Sequence, residues 1–202
     1  DRTRKPKALA DAVRENRATE VRIVKDFVAG NGKLMQLTGA AGLGKSSLAA
    51  LVARRTDFWV NLTGRDVGAV DIVRLLAEWR GEDDVAAKTA ANQVGEGEIK
   101  QICGRIAQKP VRLFFNGFDA FLDDDGRISD SGLARLFTAL CRTDGKHKLI
   151  LMSRRPLHSE LTQALSPAFL PLEELSESES TALLYADDDF DNSLDAEEIA
   201  FQ

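Results

Sequence analysis

Apolar residues along this chain fall into runs spaced like helices and runs spaced like strands. Residues 8–28 place Leu9, Val13, Val21, Val24, Phe27 and Val28 at helical spacing, which predicts one or two amphipathic helices. Gly30-Asn31-Gly32 breaks that pattern. Lys33 to Thr38 alternates like a strand, and Ser46 to Arg54 reads as a helix. Phe58 to Leu62 predicts a second strand, followed by a helix at about 69–80 that Gly81 ends. Residues 81–97 are polar and read as a surface loop or weak helix, and a helix at about 98–108 leads to Pro110. Val111 to Phe115 is a compact apolar run and predicts a third strand. A helix near 131–142 follows, with Asp130 or Ser131 as its cap. His147 to Met152 predicts a fourth strand and Ala168 to Leu172 a short fifth. Ser176-Glu177-Ser178-Glu179 has the form of a capping box opening a helix with Ala182, Leu183 and Leu184. Strands alternating with helices predict an α/β fold with a parallel sheet covered on both faces. No internal repeat is visible.

Composition narrows the class. The chain has 202 residues, 44% apolar and 29% charged, enough for one α/β domain with a small appendage. Its net charge of −5 conceals an asymmetry. Residues 173–202 hold 11 acidic and no basic residues, while 1–172 carry a net +6. The acidic tail and the basic cluster Arg2, Arg4, Lys5 and Lys7 read as solvated termini, too sparse in aromatics to argue nucleic-acid binding. The two cysteines, Cys103 and Cys141, show no disulfide or metal-ligand spacing and read as buried small apolar residues. No apolar run approaches membrane-spanning length and no signal peptide opens the chain, so a cytoplasmic protein is expected. The absence of an initiator Met suggests a piece of a longer protein.

Between the first predicted strand and helix lies Gly39-Ala40-Ala41-Gly42-Leu43-Gly44-Lys45-Ser46, followed by Ser47. This satisfies G-x-x-x-x-G-K-[ST], the loop that cradles nucleotide phosphates. A strand, glycine loop and helix turn backbone N–H groups and a helix N-terminus toward one point, which makes an anion site. Gly39 and Gly44 allow backbone angles closed to other residues. Lys45 is positioned to reach the β- and γ-phosphates, and Ser46 to ligate Mg²⁺. Such a loop needs an acid near the metal, usually at the end of an apolar strand. Here the strand 111–115 ends in Asn116, which can hydrogen-bond a metal-bound water but carries no charge. Asp119 is the best remaining carboxylate for metal or water, with a helix-cap or turn residue as its plainer alternative. Asp123-Asp124-Asp125 before Gly126 reads as an exposed turn. Arg154 follows the fourth strand, at the edge where parallel sheets bind ligands, and is a candidate to contact the γ-phosphate. Arg155 reads as its solvent-facing neighbour.

The order of these pieces resembles the nucleotide-binding domain of the STAND class of P-loop NTPases, the signal-transduction ATPases that include NACHT and NB-ARC proteins. Gly39 to Ala49 resembles the first motif. Leu113-Phe-Phe-Asn-Gly-Phe-Asp119 resembles the second, where the family commonly has Asp-Gly-x-Asp-Glu. Leu149 to Arg154 resembles the sensor strand, and Phe169 to Leu172 with Leu175, Ser176, Leu183 and Leu184 the stretch before the helical lid. Asn16-Arg17-Ala18-Thr19-Glu20 resembles the Gly-Arg-Glu motif, which would put Arg17 near the nucleotide base. The resemblance implies a three-layer P-loop sandwich with a five-stranded parallel sheet, plus the start of a helical lid. It implies a helical lead-in at 1–30, a core at 31–172 and a truncated lid region at 173–202. The implied ligands are ATP or ADP with Mg²⁺, and the implied partners a second copy of the full-length protein and an attached effector. Membrane and nucleic acid are not expected partners. Two departures stand out. Asn116 replaces the metal-side Asp, and Ala120 stands where a second acid is common. Removing a catalytic acid or base costs roughly 10²–10⁴ in rate, so hydrolysis should suffer more than binding. The leading expectation is therefore a regulatory switch with weak ATPase activity at most. The alternatives are an active ATPase or small-molecule kinase, for which no acceptor pocket or strong base is visible, and a degenerate interaction scaffold.

Asp187, Asp189, Asp191, Ser193, Asp195 and Glu198 also fit positions 1, 3, 5, 7, 9 and 12 of a calcium loop, with Asn192 where Gly is usual. The plainer reading of that stretch is the acidic start of the lid.

Overall fold

The computed structural model describes residues 16–64, 67–82 and 95–176. The proposed calcium loop, the helix opened by Ser176, and Leu9 and Val13 lie outside the described residues. Five strands form one parallel sheet: β1 (Leu34–Thr38), β2 (Phe58–Asn61), β3 (Arg112–Asn116), β4 (Lys148–Ser153) and β5 (Ala168–Pro171). Their order across the sheet is β2-β3-β4-β1-β5, so β1 is an inner strand that pairs with β4 and β5. All five predicted strands are present. The third and fourth each run a residue further than their apolar stretches, so Asn116 and Ser153 are strand residues.

The helices are α1 (Ala18–Ala29), α2 (Lys45–Val52), α3 (Ala69–Arg80), α4 (Glu96–Ala107), α5 (Ser131–Arg142) and α6 (Ser159–Leu165). One sheet face buries Phe58, Val60, Leu113, Phe115, Leu149 and Leu151 against α3, α4 and α5. The other buries Met35, Leu37, Trp59, Phe114, Ile150 and Met152 against α1 and α2. Burial on both faces explains why β3 and β4 read as nearly unbroken apolar runs. The same burial extends to the polar positions of β1. All five of its residues are buried, so the polar Gln36 and Thr38 face the core rather than water.

Helix ends follow local chemistry. The Asp130 carboxylate accepts hydrogen bonds from Gly132 N (2.7 Å) and Leu133 N (3.1 Å), capping α5 as expected. Its other oxygen accepts Ala69 N (3.1 Å), so one side chain holds the starts of α3 and α5 together. Gly81 ends α3 in the left-handed region. The helix α6 has no counterpart in the sequence reading. Its seven residues span only two turns, too few for a helical period to stand out. None of the described helices is long and apolar enough to cross a membrane.

Candidate functional site

The loop between β1 and α2 is built on three glycines with positive φ: Gly39 (143°), Gly42 (84°) and Gly44 (81°). The sequence reading placed all three in the loop but gave a backbone reason only for Gly39 and Gly44. The three have different reasons to lack a side chain. A Cβ on Gly39 would lie 2.6 Å from the Leu172 carbonyl oxygen, so this end of the loop is pressed against the chain leaving β5. A Cβ on Gly42 or Gly44 would meet nothing within 4 Å. Open space there lies beside the start of α2, whose first turn no side chain caps. Uncapped N–H groups beside open space form a cradle for an anion.

Lys45 and Ser46 follow directly. Lys45 donates from Nζ to the carbonyls of Gly39 (2.7 Å) and Ala40 (2.6 Å), spanning the loop. Burial lowers its pKa, Asp119 opposes that shift and Arg154 adds to it. The three charged candidates Lys45, Asp119 and Arg154 therefore lie within electrostatic reach of one another.

Ser46 begins a chain of neutral hydrogen bonds whose polarity is set at its far end. The backbone N–H of Thr63 can only donate, and it donates to Asn61 Oδ1 (3.2 Å). The same oxygen accepts from Asn116 Nδ2 (3.2 Å). Asn116 must then turn its Oδ1 toward Ser46, whose hydroxyl donates to it at 2.6 Å. The structure thus brings Asn116 and Ser46 into direct contact and adds Asn61, which the sequence reading missed. The available signal was that β2, like β3, is an apolar strand ending in Asn.

The turn after β3 is held closely. Gly117 has φ 75°, and a Cβ there would lie 2.5 Å from Thr63 Oγ1 and 2.9 Å from Thr63 N. Phe118 begins a short 3₁₀ turn and packs edge-on against Phe137 (5.0 Å) and Phe121 (5.4 Å). Gly117→Ala is expected to destabilise the domain by roughly 1–3 kcal/mol, because Ala must adopt a left-handed angle against backbone that cannot retreat. Urea unfolding measures this; an unchanged midpoint would contradict it.

Asp119 sits in that 3₁₀ turn, and its Oδ1 accepts the backbone N–H groups of Arg154 (2.7 Å) and Arg155 (3.4 Å). It therefore joins the turn after β3 to the end of β4. Arg154 is exposed, and among the described residues its guanidinium forms no ion pair. Arg155 is also exposed and pairs with Asp124 (3.2 Å). Asp123 Oδ1 accepts Asp125 N and Arg127 N, which makes 123–127 a closed turn at the surface, as expected.

Arg17 is buried, pairs with Glu20 (2.9 Å) and donates to the Glu173 carbonyl (2.6 Å). It borders a polar cleft of about 510 Å³ with Thr19, Glu20, Pro171, Glu173 and Leu175. The chain at 171–175 also carries Leu172, whose N–H bonds Thr38 O (2.7 Å) and whose carbonyl abuts Gly39. Cleft and phosphate loop thus share one strap of backbone. A wider cleft of about 820 Å³ between α4 and α5 touches none of the loop residues. Cys103 lines it, and burial pushes the Cys103 and Cys141 thiols up to about 11, so neither is a ready nucleophile.

No family model matches the chain, and no curated protein matches it. Solved structures do. One is a signal transduction ATPase with numerous domains (STAND) from Pyrococcus horikoshii that carries a tetratricopeptide repeat sensor. It is 18% identical, with a TM-score of 0.62 over 98% of this chain and 28% of that one. Another is the ORC1 protein of Aeropyrum pernix, solved in complex with DNA. It is 16% identical, with a TM-score of 0.61 over 89% of this chain and 50% of that one. This chain therefore spans between about a quarter and half of the length of these neighbours. At such identities the likeness shows the fold, which is that of the P-loop NTPases.

Proposed function

We propose that this P-loop domain is a nucleotide-controlled switch of the STAND class, holding ATP or ADP with Mg²⁺ and hydrolysing ATP slowly. The observation that carries the reading is the Ser46–Asn116 hydrogen bond. It gives the loop its metal-side partner, but as a neutral amide where efficient hydrolases of this fold use a carboxylate.

The residues present suit a magnesium nucleotide. Ser46 donates its hydroxyl hydrogen bond to Asn116, leaving oxygen lone pairs for a divalent cation. Bound Mg²⁺ would offset charge on the β- and γ-phosphates. The cradle N–H groups hold the phosphate chain, and Lys45 exchanges its two loop carbonyls for phosphate oxygens. Arg154 reaches the γ-phosphate, and Asp119 either orients water or holds the turn that carries Arg154. The cleft beside Arg17 takes the base side of the nucleotide, with Arg17 as the tie that shapes it. The domains at 1–30, 31–172 and 173–202 are then lead-in, core and lid. Switching follows from contacts that ATP makes and ADP lacks, which bias two states of the larger protein toward self-association and effector activation.

Slow turnover is the test. Phosphate release with Mg²⁺ and saturating ATP is expected at least about a hundredfold below the enzyme median of about ten per second. Turnover near that median would sink the switch reading in favour of a working ATPase.

A further inference from the structure

Gln36 has no exposed surface and lies in the middle of β1, between β4 and β5. Its amide is fully used. Oε1 accepts the backbone N–H of Leu157 (3.1 Å). Nε2 donates to Ser153 Oγ (2.9 Å) and to the Arg155 carbonyl (3.2 Å). Ser153 Oγ in turn donates to the same carbonyl (2.7 Å). A backbone N–H only donates and a backbone C=O only accepts, so the orientation of the Gln36 amide follows without ambiguity. Burying an amide gains little over burying an apolar side chain of the same shape. What Gln36 holds matters more than what it fills.

It holds the turn 153–157, the segment that carries Arg154. From the other side, Asp119 accepts the N–H groups of Arg154 and Arg155. The backbone of Arg154 is therefore gripped by β1 on one flank and by the turn after β3 on the other. Three residues beyond Gln36, β1 becomes the phosphate loop at Gly39.

We propose that Gln36 is a positioning residue that fixes Arg154 relative to the phosphate loop and so sets the discrimination between ATP and ADP. This rests on the reading of Arg154 as the γ-phosphate contact. Gln36→Met keeps the volume and removes the hydrogen bonds. It moves the turn, and Arg154 with it, while the cradle for the α- and β-phosphates stays in place.

The test is the ratio of ATP to ADP affinity with Mg²⁺, measured by calorimetry on the 202-residue chain. Arg154→Ala is expected to lower the ratio about tenfold, since it removes a charge-assisted contact to one phosphate. Gln36→Met is expected to lower it about fivefold with ADP affinity within about twofold, and to add little to Arg154→Ala in the double variant. The inference is overturned if Gln36→Met leaves the ratio intact, weakens both nucleotides alike, or adds its full effect to Arg154→Ala. An Arg154→Ala ratio equal to wild type would overturn the sensor reading and this inference with it. A shifted Arg154→Ala ratio beside an unshifted Gln36→Met ratio overturns the inference alone. Should Gln36→Met not melt cooperatively, Ser153→Ala carries the same comparison, because it cuts the cluster while removing a single oxygen.

Discussion

Lys45→Ala is expected to weaken ATP and ADP binding by at least about a hundredfold, the loss that follows when a partly desolvated charge contact is removed. Its ammonium is already turned into the loop by the carbonyls of Gly39 and Ala40. Without it, those two oxygens face the phosphates uncompensated, so the variant loses an attraction and uncovers a repulsion. Lys45→Arg should recover little, because a planar fork does not fit where a compact ammonium bonds two loop carbonyls. The nucleotide-free fold should be nearly unaffected, since the side chain is not part of either core cluster. Calorimetry reads the affinity directly. A melting assay gives an independent readout: nucleotide at a hundred times its Kd should stabilise the wild type by about 2.7 kcal/mol and the variant hardly at all. Equal affinity in both proteins would mean that the nucleotide does not lie in this loop.

Asn116→Asp should raise the rate of ATP hydrolysis, by up to about a hundredfold if the missing charge is what limits it. A carboxylate at this position can still accept the Ser46 hydroxyl, now 2.6 Å from the amide oxygen. It adds the negative charge that fixes a hydrated cation against the phosphates. The substitution has a local cost. Its second oxygen would face Asn61 Oδ1, where the native amide donates at 3.2 Å, and Asn61 cannot flip without abandoning Thr63 N. Without nucleotide the variant should therefore lose about 1 kcal/mol of stability by urea unfolding. Steady-state phosphate release is the measurement. An unchanged rate with unchanged binding would place the hydrolytic deficit elsewhere, with Ala120 the first position to examine.

Much of the architecture was legible because local signals agreed. Glycine spacing marked the loop, apolar runs marked strands buried on both faces, and Asp130 marked the start of α5. The site was legible only where a residue acts through its own neighbours in sequence. Gly39, Gly44, Lys45 and Ser46 belong to one turn, and the roles proposed for them follow from one motif. Asn61 and Gln36 act through partners 55 and 117 residues away, which no local pattern encodes. Gln36 did leave a trace, a single amide inside Leu34-Met35-Gln36-Leu37, but a strand pattern does not encode what a polar position bonds to. Asp119 shows the reverse case. Its carboxylate was noticed for its charge, and the structure finds it bonded to the backbone of the turn that follows β4. The short helix α6 was lost because two turns carry almost no periodicity.

The position of β1 between β4 and β5 has a consequence for how the molecule is made. The strand is among the earliest elements of the chain, yet both of its partners, β4 and β5, come near the end of the core. Pairings between such distant segments close large loops, and contacts of that kind form slowly. During synthesis, the phosphate loop would emerge long before the strand, turn and strap that shape its surroundings. On the proposed reading, nucleotide would therefore have no complete site to bind until nearly the whole core has left the ribosome. Ligand would act on the finished domain by trapping it, not on the early chain by guiding it.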